Sequence, residues 1–163
     1  MKKIIVPTDF SECAENEIRV AAQIAKKQKD SEIHLVHFYE RPVSGYTLQF
    51  EVDNERLREL KEEIKQTMHE LSERDYMHGV HTISHYVPDE DVTELPKLDI
   101  VPDADLIVMG SHGISGMKEL FIDSNTQKVV QLSDVPVLVI KEQIDDFSMK
   151  NFVFASNFYS EAD

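Results

Sequence analysis

The stretch Asp105-Leu-Ile-Val-Met-Gly110-Ser-His-Gly113-Ile-Ser-Gly116-Met-Lys-Glu-Leu-Phe-Ile-Asp123-Ser124-Asn125 decides the fold. Its uninterrupted apolar run from Leu106 to Met109 is the pattern of a strand buried on both faces of a parallel sheet. Three glycines follow, at 110, 113 and 116, and residues without a Cβ let backbone N–H groups turn toward a bound anion at close range. Ser124 and Asn125 then offer side-chain oxygens to cap a helix running to Gln131, whose unsatisfied N-terminal amides attract phosphate. Strand, glycine loop and helix start together describe a phosphate cradle.

The segments on either side repeat the same alternation. Ile4-Ile5-Val6 is a second buried-type strand, closed by Pro7-Thr8-Asp9-Phe10, with Ser11 placed to cap a helix. That helix carries Ala14, Ile18, Ala21, Ala22 and Ala25 on one face and ends in lysines, where the helix dipole favours cations. Residues 33–38 form the next strand and residues 39–50 a loop. Leu57, Leu60, Ile64, Met68 and Leu71 recur at helical spacing within residues 51–76, ended by Gly79. Residues 80–87 make a third strand, residues 89–98 a short helix disturbed by Pro96, residues 104–109 the fourth strand and Val137–Ile140 the fifth. Five strands alternating with four helices predict a three-layer, doubly wound α/β domain with a five-stranded parallel sheet and right-handed crossovers. Such sheets bind ligands beyond the carboxyl ends of their strands, where the strand order reverses. The flanks of that crevice are Pro7-Thr8-Asp9 and Met109-Gly110.

Composition narrows the partners. The 163 residues, 41% hydrophobic and 29% charged, suffice for one domain with a sizeable core. A net charge of −14, with no basic stripe, argues against nucleic acid and anionic membrane surfaces. No segment reads as a membrane span or a signal peptide, and the single cysteine, Cys13, suits a reducing compartment, so the expected location is the cytoplasm. Cys13 itself is expected in the core among Ala14, Ile18 and Ala21.

The glycine spacing is neither the dinucleotide-binding fingerprint nor a P-loop. It resembles the signature of the universal stress protein family: Gly, two residues, Gly, nine residues, then Gly-Ser or Gly-Thr. Gly110, Gly113 and Ser124 match, whereas Asp123 stands where the family carries its last glycine. The resemblance covers nearly all of residues 2–141, including the opening Ile-Ile-Val-Pro-Thr-Asp-Phe-Ser and the closing Val-Pro-Val-Leu-Val-Ile. It implies the Rossmann-like, adenine nucleotide alpha hydrolase-like fold and a site for ATP or AMP with Mg. By resemblance Asp9, with Pro7 and Thr8, meets the ribose or base, and the backbone of Phe38 reads adenine. Met109 flanks the nucleotide, and Gly110, His112, Gly113, Ser124 and Asn125 line the phosphates. The carboxylate of Asp123 adds like charge there, so binding is expected to be weakened or absent. The resemblance further implies a homodimer through the edge strand Val137–Ile140, and a regulatory module of the stress response rather than an enzyme.

The tail repeats the start. Lys150-Asn-Phe-Val-Phe-Ala-Ser-Asn-Phe158 aligns with Lys2-Lys-Ile-Ile-Val-Pro-Thr-Asp-Phe10, which suggests duplication. Residues 1–145 are then one domain and residues 150–163 the opening of a second copy, with residues 151–156 expected as a strand. His78, His81 and His85 do not suggest a metal site, because a strand sets the last two about 13 Å apart; solvated histidines are expected. Two other classes stay open. A phosphoacceptor receiver needs an Asp ending the third strand, where Val87-Pro88 stands, and a nucleotide hydrolase needs a metal-carboxylate cluster or base that no motif supplies.

Overall fold

The structure, a computed structural model, describes residues 2–42, 50–111, 123–151 and 153. Its centre is a pair of strands far apart in sequence, β1 (Lys3–Pro7) and β4 (Leu106–Gly110), in parallel register with Ile4 opposite Leu106 and Ile5 opposite Ile107. From Ile4 to Pro7 and from Leu106 to Met109 both are apolar because both of their faces are covered. Ile4, Val6 and Val108 point into one layer of core, Ile5, Ile107 and Met109 into the other.

Outward from this pair lie β2 (Glu32–Tyr39), β3 (His81–Pro88) and, on the other side, β5 (Val137–Ile140). All pairings are parallel and the order is β3-β2-β1-β4-β5, so the order reverses between β1 and β4. Right-handed crossovers leaving that point in opposite directions must cover opposite faces. Accordingly α1 (Glu12–Lys26) and α2 (Phe50–Ser72) contribute to one core layer, through Ile18, Ala21, Ala25, Ile64 and Met68. The other layer is completed by a 3-10 turn at Val92–Lys97 and by α3 (Ser124–Leu132), through Leu95 and Val129. The three-layer, doubly wound expectation holds.

The departures have local causes. Ser11 caps α1 as expected, its hydroxyl accepting from the Ala14 N–H at 3.2 Å. α2 ends at Ser72, short of residue 76, because Arg74 is extended and a 3-10 turn (Asp75–Met77) sends Met77 into the core. The helix expected at residues 89–98 is that single 3-10 turn around Pro96, with the Asp91 carboxylate accepting from Thr93 N–H. Cys13 is exposed, not core, because the buried face of α1 is carried by Ala14, Ile18, Ala21 and Ala25, and Cys13 falls beside that face, on the wall of an open cavity. Asn151 and Val153, the described part of the tail, are outside any strand, and Val153 is 97% exposed.

Beyond β5 the chain is laid along α1. The Asn16 amide donates to the Glu142 carbonyl and its oxygen accepts from Ile144 N–H; Gln23 repeats the arrangement with Asp145 and Phe147. Two amide side chains seven residues apart on one helix face thus serve as rungs of a ladder. Ile144 and Phe147 pack on the α1–α2 core from this strap.

The β3 histidines divide. His78 and His81 are exposed, but His85 is half-buried beside His34, a buried polar residue of β2. His34 Nδ1 and His85 Nε2 share a hydrogen at 2.8 Å, and His34 Nε2 donates to Glu32 at 2.8 Å. The hydrogen bond from His34 holds the Glu32 carboxyl below its usual range, while burial and then His34 hold His85 below the usual histidine range. Both shifts make protons bind more readily to the unfolded chain, so the contribution of His85 is present above about pH 6.5 and that of Glu32 above about pH 4.5, each being lost as the pH falls below its value. Urea unfolding between pH 7 and pH 4 is expected to show this loss, and His85→Gln to flatten its upper part between pH 6.5 and pH 5; an unchanged slope in the variant would place the titration elsewhere.

Candidate functional site

At the end of β1 the chain makes a compact turn that consumes its own polar groups. Thr8 is buried; its N–H donates to the Val36 carbonyl at 2.9 Å and its hydroxyl accepts from Phe10 N–H at 3.2 Å. Asp9 accepts from Ser11 N–H at 3.0 Å, and Phe10 between them takes a left-handed φ of 65°. This strain turns the Phe10 ring onto His37, with centroids 4.1 Å apart. His37 Nδ1 lies 2.8 Å from the Thr8 carbonyl, an acceptor only, so this nitrogen carries the hydrogen. Burial pushes the His37 pKa down, which keeps the ring neutral. Sequence reading passed over His37. Its signal was a polar residue immediately before Phe38, at the carboxyl end of an apolar strand.

The sheet brings the expected residues together. Pro7, Thr8 and Asp9 follow β1, Phe38 stands near the end of the adjacent β2, and Met109 and Gly110 end β4 on the other side. Met109 is buried in the core beneath the crevice rather than standing at its rim. His112 and Gly113 lie outside the described residues. The base of their loop is closed by Asp123, whose N–H donates to the Ser111 carbonyl at 2.8 Å. Asp123, not Ser124, is the N-cap of α3: its carboxylate accepts from Asn125 N–H at 3.2 Å and from the Ser124 hydroxyl at 3.3 Å. The first turn of α3 therefore already holds an anion of its own. Thr126 fixes this helix start to the sheet by donating its hydroxyl hydrogen to the Gly110 carbonyl at 2.7 Å.

The residue that sequence reading missed altogether is Glu17. It lies on the inner face of α1, 5% exposed, and accepts a hydrogen bond from the Gly110 backbone N–H. Burial, opposed by that hydrogen bond and reinforced by nearby Asp9, pushes its pKa up to about 8. Glu17, Cys13, Gly110, Ser111, Ile140 and Lys141 are among the residues lining a cavity of about 420 Å3 over the ends of β4 and β5. Among the described residues no group of three or more histidine, cysteine or acidic side chains is placed to hold a metal ion. This cavity lies between α1 and the ends of β4 and β5 and is edged by Glu12, Glu15 and Glu142; of the residues expected at the switch point, only Gly110 lines it.

Residues 1–141 match the universal stress protein family. The chain is 32% identical over 161 residues to the universal stress protein MJ0577 of Methanocaldococcus jannaschii, covering 87% of this chain and 96% of that protein. It is 30% identical over 146 residues to the universal stress protein YxiE of Bacillus subtilis, covering 85% and 98%. The solved structure of MJ0577 superposes with a TM-score of 0.68 over 88% of this chain and 98% of that one. UspA from Lactobacillus plantarum, 19% identical over 85% and 97% of the two chains, shares the fold with a TM-score of 0.63. This chain belongs to the universal stress protein family. Its fold is accordingly the Rossmann-like one that the opening and glycine motifs implied. Among the described residues no helix is long and apolar enough to cross a membrane.

Glu17 also makes a prediction about stability. The unfolded chain ionises this carboxyl near its ordinary value of 4.5, while the folded protein keeps it protonated up to about pH 8. The folded state is thus penalised progressively as the pH rises through that window. Glu17→Gln is expected to unfold at higher denaturant than the natural protein at pH 8, by an increment that shrinks toward pH 5. An equal increment at both pH values would show that Glu17 does not titrate as argued.

Proposed function

We propose that this protein is a regulatory module of the stress response, acting through association rather than catalysis, with an adenine-nucleotide crevice that has lost much of its hold on phosphate. The observation that supports this most directly is Asp123. Its carboxylate occupies the helix start where the family signature has a glycine, and there it satisfies the N–H of Asn125. An ATP or AMP phosphate brought to that turn must displace this contact and meet a like charge. Thr8, Asp9, Phe38 and Gly110 stand near the carboxyl ends of three adjacent strands, which supports the reading of a nucleotide crevice there. Among solved universal stress proteins, one is a complex with cAMP and one, from Archaeoglobus fulgidus, a complex with dAMP; at 19% and 24% identity they support a common fold with this chain. An adenine nucleotide is therefore the ligand to test, and the glycine signature supports Mg as its companion ion and His112, Gly113, Ser124 and Asn125 as the phosphate-facing residues. Titration calorimetry with Mg-ATP is expected to give a dissociation constant well above about 1 μM, and Asp123→Gly to lower it, since glycine at an N-cap costs the helix little. Submicromolar binding by the natural protein would overturn the reading.

Association follows from the edge of the sheet. β5 pairs only with β4 among the described residues, and its Val137–Ile140 run leaves an apolar edge for a second strand. Two copies meeting there make a two-fold homodimer, and residues 150–163 begin a second copy of the domain in the same chain. Light scattering at tens of micromolar is expected to show a dimer that Val139→Lys dissociates; a monomer throughout, or a dimer indifferent to that change, rejects this edge as the interface.

A further inference from the structure

The Gly110 N–H, which the glycine motif would direct at a phosphate, is engaged from below by a side chain of the protein itself. Glu17 reaches it from α1, 5% exposed, at the wall of the cavity that opens beside Ser111. A carboxyl in this position has two very different consequences. Protonated, it adds no charge, and its carbonyl oxygen suffices as acceptor for the N–H. Ionised, it draws the N–H dipole to itself and sets a negative charge, screened little by solvent, under the first glycine of the motif.

Resting on the adenine-nucleotide reading above, we infer that Glu17 is a proton-linked positioning residue, buried beneath Gly110, whose ionisation expels the phosphate group of a nucleotide from the crevice and whose protonation admits it. The surrounding charges reinforce this sense. Asp9 faces it from the turn after β1, and Glu12, Glu15 and Arg19 share its helix at the cavity wall, with Cys13 between them. From the segment after β5 come Lys141 and Glu142, while β4 supplies only the Gly110 backbone and Ser111. Acids outnumber the two cations, so a phosphate entering here raises the proton affinity of Glu17 and, by linkage, a proton on Glu17 raises the affinity for phosphate. The pKa of about 8 puts the change just above neutrality. The site would then release nucleotide as the surroundings become alkaline.

The test uses AMP and the full chain carrying Cys13→Ser, so that the thiol cannot contribute, with affinity followed by NMR shift titration at pH 7, 8 and 9. Above pH 7 the AMP phosphate is already ionised, its second pKa lying near about 6. One linked proton titrating near pH 8 gives a loss of affinity of about tenfold between pH 7 and pH 9. Glu17→Gln in the same background is expected to bind AMP with little change over that range and at pH 9 more tightly than the parent. The 13C carboxyl signal of Glu17 is expected to titrate at a higher pH with AMP bound than without it. An equal pH slope in both proteins, or a Glu17 midpoint that saturating AMP leaves in place, overturns the proton linkage alone. Absence of AMP binding by either protein at every pH overturns the nucleotide reading and this inference with it.

Discussion

The parallel pairing of β1 with β4 is the constraint on which the rest of the molecule depends. Two segments a hundred residues apart must lie side by side with both faces dry, and each therefore consists of β-branched and other apolar side chains. The register is pinned at the entrance by Asp105, whose carboxylate accepts from the Lys2 and Lys3 N–H groups at 2.6 and 3.0 Å. Those hydrogen bonds hold its pKa below the usual carboxylate range. With the register set at the amino ends, the carboxyl ends bring Thr8 and Gly110 to neighbouring positions. The crevice is thus a consequence of how the central pair is anchored at its far end.

Polar groups around the crevice are mostly spoken for by the protein. Thr8 uses its N–H, hydroxyl and carbonyl, Asp9 and Asp123 cap local turns, and Thr126 ties α3 to the Gly110 carbonyl. The effect is a rigid rim, since each of these bonds fixes a backbone direction that an isolated loop would leave free. Rigidity comes at the expense of open donors. At the start of α3 the seat for an anion is already taken by the Asp123 carboxylate.

The strap after β5 answers a different need. α1 covers the sheet with small residues, Ala14, Ala21, Ala22 and Ala25, which let it approach closely but leave little apolar mass on its flank. Ile144 and Phe147 add to that mass. The amides of Asn16 and Gln23 hold the strap's backbone as a neighbouring strand would, so it needs no sheet of its own.

Much of this was legible in the residues themselves. Continuous apolar runs identified the buried strands, and the fifth was bounded as found. Ser11 announced the start of α1, and the glycine spacing pointed to the family. Those features are local: a buried strand, a cap or a motif is written in adjacent residues, because its physics is satisfied within a few of them. What remained hidden was set by contacts between distant segments. Glu17 looks like any solvated helix acid until α1 is laid against β4, and His34 and His85 acquire each other only when β2 and β3 pair in register. Cys13 looks like core until the packing of α1 shows Ala14 turned inward and Cys13 left on a cavity wall. The sequence by itself determined which segments are strands and in what order helices and strands alternate, because burial pattern and chain order dictate both. The tertiary structure alone decided which charges face that crevice, because desolvation and partnership depend on neighbours the chain order does not name.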